Sequence, residues 1–216
     1  MELARARDMM VESQVRTADV TDPRIIHAMR TLPRERFMPA HKRALAYADI
    51  EVDVAPGRSL MRPRDLAKLI QSLAPQANER ALEIAGATGY GAAILASMCR
   101  EVVTLDPDPD LSFAAHAALE SCALTNAKTV STAAIDGWKD EGPYDLILLN
   151  GSAEIVPDAW LAQLAPGGRL GVIVRQGAAG SARIYTRGAE AVAYRTMFDA
   201  APPVATGLAK PPTFAF

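Results

Sequence analysis

The segment Ala81–Gly91 (ALEIAGATGYG) carries the sharpest chemical pattern in the sequence. Its apolar start predicts a strand, and its small residues predict a tight turn into a helix whose free N–H groups could face a ligand. Asp106 closes the next predicted strand, twenty residues after Gly86. That spacing is typical of a carboxylate that accepts hydrogen bonds from a ribose. An ordinary strand–helix turn before a solvated acidic loop explains the spacing about as well, since the dinucleotide pattern Gly-x-Gly-x-x-Gly is missing here.

Residues that act as nucleophiles or metal ligands are scarce. The chain has two cysteines, Cys99 and Cys122, which form neither a Cys-x-x-Cys pair nor a Cys/His cluster. A disulfide framework and a metal site are therefore not expected. His27, His41 and His116 are scattered, and none stands near a nucleophile motif. If the protein is an enzyme, we expect a cofactor to supply the chemistry.

Length and composition indicate an ordinary globular protein. The 216 residues are 50% hydrophobic, 22% charged and 6% aromatic, with a net charge of -2. This predicts one domain with a core of small aliphatic residues and gives no reason to expect nucleic-acid binding. The sequence shows neither a signal-peptide pattern nor an apolar run of membrane-spanning length, so we expect a cytoplasmic protein without a membrane partner.

The chain changes character near residue 80. Residues 1–80 contain 14 Lys or Arg and 11 Asp or Glu, whereas residues 81–216 contain 9 and 14. The first part reads as helices, across residues 2–17 and beginning at Pro23 and Pro63, joined by extended or turning chain.

The second part alternates strands and helices. Strands are predicted at 81–85, 101–105, 128–131, 145–150 and 170–174, a hairpin at 182–187 and 192–198, and helices at 90–98, 110–122 and from Pro157 to Pro166-Gly167-Gly168. Apolar strands that alternate with helices predict an α/β fold, a Rossmann-like doubly wound, mostly parallel sheet with a C-terminal antiparallel hairpin and an N-terminal helical cap.

Several stretches resemble the protein-L-isoaspartate O-methyltransferase family, within the S-adenosylmethionine-dependent methyltransferases. They are MVESQVRTADVTDPRIIHAM, LPRERFMP, ALAYAD, ALEIAGATGYGAAILASM, AIDGW, PYDLILLN and LAPGGRLGVIV, in the family's order over roughly residues 9–175. The ending PPTFAF falls where the family has its last strand. The resemblance implies a helical cap and substrate loop over residues 1–80, and a methyltransferase domain over residues 81–216 in one compact unit.

The resemblance also implies which residues form the site. The cofactor would be S-adenosylmethionine, and the partner an isoaspartyl-containing protein or peptide. The resemblance assigns to the cofactor site Glu83, Ala85, Gly86, Ala87, Gly89, Asp106, Asp136 and Gly137. Asp106 would bind the ribose hydroxyls, and Asp136 with Gly137 would lie beside the adenine. Asn150 would lie beside the methyl-transfer centre.

Two departures from the family pattern bear on function. The family's loop reads Glu-Ile-Gly-x-Gly-x-Gly-Tyr, so Ala85 and Ala87 replace glycines, at a cost of roughly 1 kcal/mol or more wherever φ is positive. Gly86 could offer a shifted turn. In the substrate loop Met61 stands where the family has its active-site Ser, and Ser59 stands where the family has Thr.

Three hypotheses remain open. The chain could be an isoaspartyl-type O-methyltransferase, a diverged methyltransferase with another carboxylate or hydroxyl acceptor, or a non-catalytic relative that binds a ligand or partner. Asp106 and Asp136-Gly137 favour the first two, and the replaced glycines favour the third. Arg58 and Arg62 could clamp a substrate carboxylate, whereas Met61 could simply pack. The oligomeric state is not predicted.

Overall fold

The structure is a computed structural model that describes residues 2–211. Within that range the helices are α1 (Glu2–Met10), α2 (Pro23–Thr31), α3 (Pro63–Leu73), α4 (Tyr90–Ala96), α5 (Pro109–Ser121) and α6 (Asp158–Ala162), and the strands are β1 (Val52–Ala55), β2 (Arg58–Leu60), β3 (Arg80–Ile84), β4 (Glu101–Asp106), β5 (Ala127–Ser131), β6 (Tyr144–Ala153), β7 (Leu164–Gln176), β8 (Ala179–Arg187) and β9 (Val192–Asp199). Within residues 2–211, no helix is both long and apolar enough to cross a membrane.

A seven-stranded sheet forms the centre of the protein, in the order β5-β4-β3-β6-β7-β8-β9. The first five of these strands pair in parallel, and β7, β8 and β9 pair antiparallel. The central strands are apolar on both faces because helices cover both faces of a parallel sheet, as at Leu146–Leu149, which are 0% exposed. The predicted doubly wound sheet with a C-terminal hairpin is confirmed.

One predicted boundary is wrong. Pro166, Gly167 and Gly168 were expected to end a helix that starts at Pro157, but α6 ends at Ala162 and these residues lie within β7. Tyr144 pairs with Leu164, and the register shifts before the next pair. The pairing of β7 with β6 therefore begins before the Pro-Gly-Gly segment. That segment forms an irregularity within β7, where the register shifts.

The N-terminal helices pack on one face of the sheet. The predicted helix over residues 2–17 is present as α1, continued by a π-helical turn at Val11–Val15 and a 3-10 turn. Side chains of α1–α3 share one apolar core with α4, β6 and β8. Gly171 on β7 permits the close approach of α3, because a Cβ there would lie 3.0 Å from Cγ of Leu73.

Two segments cross the carboxyl ends of the parallel strands. Strands β1 and β2 form a separate antiparallel hairpin where the sequence predicted only extended or turning chain. Residues 202–208 run beside β6, where Ser152 bridges Val204 in parallel and donates its N–H to the carbonyl of Pro203. The predicted final strand at residues 211–216 falls, beyond Pro211, outside the described residues.

Candidate functional site

Three strand ends meet at the carboxyl edge of the sheet. The loop after β3 contains Ala85 and Gly86, β4 ends at Asp106, and β6 carries Asn150. The amide of Asn150 donates to the carbonyl of Ala85 at 3.0 Å and to the carbonyl of Ser59 at 3.1 Å. Asn150 thus ties the loop after β3 to the β1–β2 hairpin. Crevices at this edge are where open α/β sheets bind ligands.

In the loop after β3, two alanines adopt the left-handed backbone conformation that usually requires glycine. Ala85 has φ 54°, Ala87 has φ 52° and Gly89 has φ 83°. The prediction that both alanines occupy positions of positive φ is confirmed, at a cost of roughly 1–2 kcal/mol for each non-glycine residue. Gly86 does not take over the left-handed conformation, since its φ is not positive, although a turn begins there with the N–H of Gly89 bonded to its carbonyl at 2.8 Å.

Gly86 is required for space. A Cβ at this position would lie 2.0 Å from Oγ1 of Thr104 and 2.6 Å from Oε2 of Glu83. Glu83 is 0% exposed beneath the loop and accepts a hydrogen bond from Thr104 at 2.7 Å. Burial raises the pKa of Glu83 to about 8, against the opposing effect of its hydrogen bonds. Glu83 therefore supports the loop from below as a protonated carboxyl at neutral pH.

The carboxylate of Asp106 is bound within the protein. Its Oδ2 accepts the N–H of Ala87 at 3.1 Å, and its Oδ1 accepts the N–H of Asp108 at 3.0 Å. Nε of Arg58 lies 3.2 Å from Oδ1 and 3.1 Å from Oδ2. The side chains of Arg58 and Asp106 are 5% and 2% exposed, so the ion pair is buried.

The remaining residues of the predicted substrate loop have other partners. The hydroxyl of Ser59 donates to Asp53 at 2.8 Å, across the β1–β2 hairpin. Met61 is 1% exposed and belongs to the main core, which agrees with the packing interpretation of this residue. Arg62 forms a two-pronged ion pair with Glu51, both distances being 2.8 Å. The two arginines considered for a substrate carboxylate, Arg58 and Arg62, are thus both engaged with acidic side chains.

Asp136 and Gly137, which were predicted to lie beside the adenine, do not share a cavity with Ala85 and Asn150. Ala85, Asn150, Ser59 and Met61 line a cavity of about 10 Å³, together with Arg58 and the segment at Pro202–Ala205. Asp136 and Gly137 line an open cleft of about 610 Å³ near Gln163. In this cleft the amide of Gln163 bonds to the backbone on both sides of Gly137.

Sequence reasoning gave no role to the segment that supports the loop from the N-terminal side. The hydroxyl of Thr88 donates to the carbonyl of Phe37 at 2.6 Å. Arg34 is 0% exposed, donates to the carbonyls of Ala46 and Met61 at 2.8 Å each, and lies 4.7 Å from the ring centre of Tyr90. Within LPRERFMP no local feature separates this buried arginine from an exposed one.

Comparison with known proteins identifies the family. The family described as Protein-L-isoaspartate(D-aspartate) O-methyltransferase matches residues 5–199. The chain belongs to this family. Protein-L-isoaspartate O-methyltransferase 2 of Shewanella sediminis is 36% identical over 77% of this chain and 68% of its own length. Protein-L-isoaspartate O-methyltransferase 1 of Syntrophobacter fumaroxidans is 34% identical over 79% of each chain.

Solved structures of the family share the fold. A protein-L-isoaspartate O-methyltransferase gives a TM-score of 0.82 at 22% identity, over 94% of this chain and 67% of its own. A second, from Plasmodium falciparum and in complex with S-adenosyl-L-homocysteine, gives a TM-score of 0.79 at 16% identity, over 93% and 98%. At these identities the likeness concerns the fold alone. The family is one of S-adenosylmethionine-dependent methyltransferases.

Proposed function

We propose that this chain is an S-adenosylmethionine-dependent O-methyltransferase that methylates the carboxylate of isoaspartyl residues in proteins. The observation that carries the proposal is the meeting of the loop after β3, Asp106 and Asn150 at the carboxyl edge of the sheet. Named relatives at 34–36% identity over most of the chain support the same activity. Residues 1–80 would supply the substrate loop, and residues 81–216 the cofactor site.

The residues present do not fit the cofactor in this arrangement of the β1–β2 hairpin. Small-molecule sites usually enclose roughly 300–1,000 Å³, whereas the cavity beside Ala85 and Asn150 measures about 10 Å³. Asp106, the expected partner of ribose hydroxyls, already accepts bonds from Arg58 and two backbone N–H groups.

The buried pair of Arg58 and Asp106 also favours a second candidate, a non-catalytic relative that keeps the fold and binds a partner instead. A third, methylation of another carboxylate or hydroxyl, is favoured by Met61, which places a buried thioether where the family has a hydroxyl. The net charge of -2 and the two free cysteines support a cytoplasmic protein without a nucleic-acid partner.

Calorimetric titration with S-adenosylhomocysteine, followed by a labelled-methyl assay, tests these candidates. Binding together with methyl transfer to an isoaspartyl peptide, and none to the matched aspartyl peptide, is expected. Binding without transfer to either peptide points to another acceptor or to a non-catalytic relative that binds the ligand. Absence of binding to the wild-type chain and to an Ala85→Gly/Ala87→Gly/Arg58→Gln variant would exclude both enzymatic candidates, because that variant restores the family's glycines and removes the side chain that pairs with Asp106.

A further inference from the structure

We propose that Arg58 is an internal blocker of the cofactor site, which binds Asp106 in place of a ligand's hydroxyl groups and must withdraw before the cofactor binds. The proposal rests on the proposed function, since it concerns the regulation of that same site. The observation behind it is the buried contact of Nε of Arg58 with both carboxylate oxygens, at 3.2 and 3.1 Å.

The contacts of Asp106 show why the two occupants exclude each other. An ionised carboxylate has about four acceptor positions. Two are taken by the backbone N–H groups of Ala87 and Asp108, and the single Nε–H of Arg58 takes a third, which leaves one. A ribose diol needs two acceptor positions. Since the backbone bonds belong to the turns that shape the loop, Arg58 is the partner that a ligand would displace.

The element that carries Arg58 is suited to movement. Strands β1 and β2 form a two-stranded sheet of their own, and an isolated pair of this kind is marginally stable. Its turn residues Pro56 and Gly57 are exposed. Apart from the Arg58–Asp106 pair, its hydrogen bonds to the surroundings come from Thr206 to the carbonyl of Gly57 at 3.1 Å, from Asn150 to the carbonyl of Ser59, and from Lys42 to the carbonyl of Asp53 at 2.7 Å. Val52 and Leu60, at the far ends of the two strands, are buried in the main core. The tip of the hairpin, residues 55–59, can therefore swing outward while Val52 and Leu60 stay in the core and the main sheet stays intact.

When Arg58 withdraws from Asp106, its guanidinium can move into water. Arg58 lies next to the exposed turn, and an arginine side chain can extend its guanidinium into water from a buried stem. The same movement would enlarge the cavity of about 10 Å³, because Gly57, Arg58 and Ser59 form one of its walls. One displacement thus frees the carboxylate and enlarges the cavity beside Ala85 and Asn150.

The affinity for S-adenosylhomocysteine, measured by calorimetry on the full chain, tests the proposal. If only a minor open population binds, the apparent affinity is reduced by that population. We expect Arg58→Gln to bind at least tenfold more tightly than wild type. The matched control is Arg62→Gln, which breaks an ion pair of the adjoining segment with Glu51 without touching Asp106, and its affinity is expected to equal that of wild type.

Equal affinities of wild type and Arg58→Gln would overturn the proposal that Arg58 blocks the site, and would leave the proposed function unaffected. Weaker binding by Arg58→Gln would also overturn it, since Arg58 would then assist the ligand. If neither binds, and adding Ala85→Gly and Ala87→Gly restores nothing, the proposed function fails together with the blocker.

Hydrogen exchange on the wild-type chain gives a second test that depends on no variant. Saturating S-adenosylhomocysteine is expected to speed amide exchange severalfold in residues 55–59, because ligand binding forces the tip of the hairpin outward. Slower exchange in that segment on ligand binding would show a hairpin that closes over the ligand, and would overturn the proposal.

Discussion

The buried carboxyl of Glu83 makes a contribution to the free energy of unfolding that decreases as the pH rises. Its pKa is raised by burial from 4.5 to about 8. Between these values the folded chain keeps a proton that the unfolded chain has released. The contribution of this carboxyl is therefore fully present below pH 4.5 and is lost as the pH rises through about 8. The slope is about -1.4 kcal/mol per pH unit, or about 5 kcal/mol over the whole window.

The substitution that isolates this effect is Glu83→Gln. Glutamine has the shape of the protonated acid, and its carbonyl can still accept the hydroxyl of Thr104, which bonds to Glu83 at 2.7 Å. Urea unfolding of both proteins between about pH 5.5 and pH 7.5 would give the difference in unfolding free energy. We expect that difference to shift by roughly 3 kcal/mol in favour of Glu83→Gln across this range.

Taking the difference cancels the titration of all groups that the two proteins share. Glu120→Gln, at an exposed position of α5, is the matched control, and its unfolding free energy should run parallel to that of wild type. If the curves of wild type and Glu83→Gln also run parallel, Glu83 is ionised in the folded protein. The account of the loop as resting on a neutral carboxyl would then be refuted.

Three further outcomes follow from contacts around the site. Gly86→Ala should lower the unfolding free energy by about 2 kcal/mol or more, since its Cβ would lie 2.0 Å from a buried hydroxyl, whereas Gly142→Ala, with a nearest contact of 3.5 Å, should change it little. Arg34→Met should cost roughly 2–4 kcal/mol in urea unfolding, because two buried carbonyls lose their donor; a change below 1 kcal/mol would contradict the burial. In the folded chain, Ellman's reagent should modify Cys122 well before Cys99, whose burial raises its thiol pKa to about 12; equal rates would contradict this.

The sheet could be predicted because its signals are local. Runs such as Leu146–Leu149 have no polar face, which in a chain that alternates with helices implies strands covered on both sides. The position of Asp106 at the end of β4 follows from the same pattern. The positive φ of Ala85 and Ala87 could also be anticipated, because the resemblance indicated where the loop needs left-handed residues.

The state of the site could not be predicted, because it depends on a contact between distant segments. Arg58 and Asp106 are 48 positions apart in the sequence, and Arg58 was open to a role in binding a substrate carboxylate. Only the folded hairpin shows that its charge is used within the protein. The start of β7 was missed for a similar reason, since pairing with β6 prevailed over the local Pro-Gly-Gly signal.

Ala87 and Arg58 act on one carboxylate. The left-handed turn at Ala87 directs its N–H to Oδ2 of Asp106, and Arg58 binds the same oxygen. The strain of the loop and the ion pair are therefore parts of one arrangement, and their effects on stability should not add. A double-mutant cycle of Ala87→Gly and Arg58→Gln in urea unfolding is expected to give a coupling of at least about 0.5 kcal/mol. Strict additivity would mean that Arg58 pairs with Asp106 independently of the conformation of the loop.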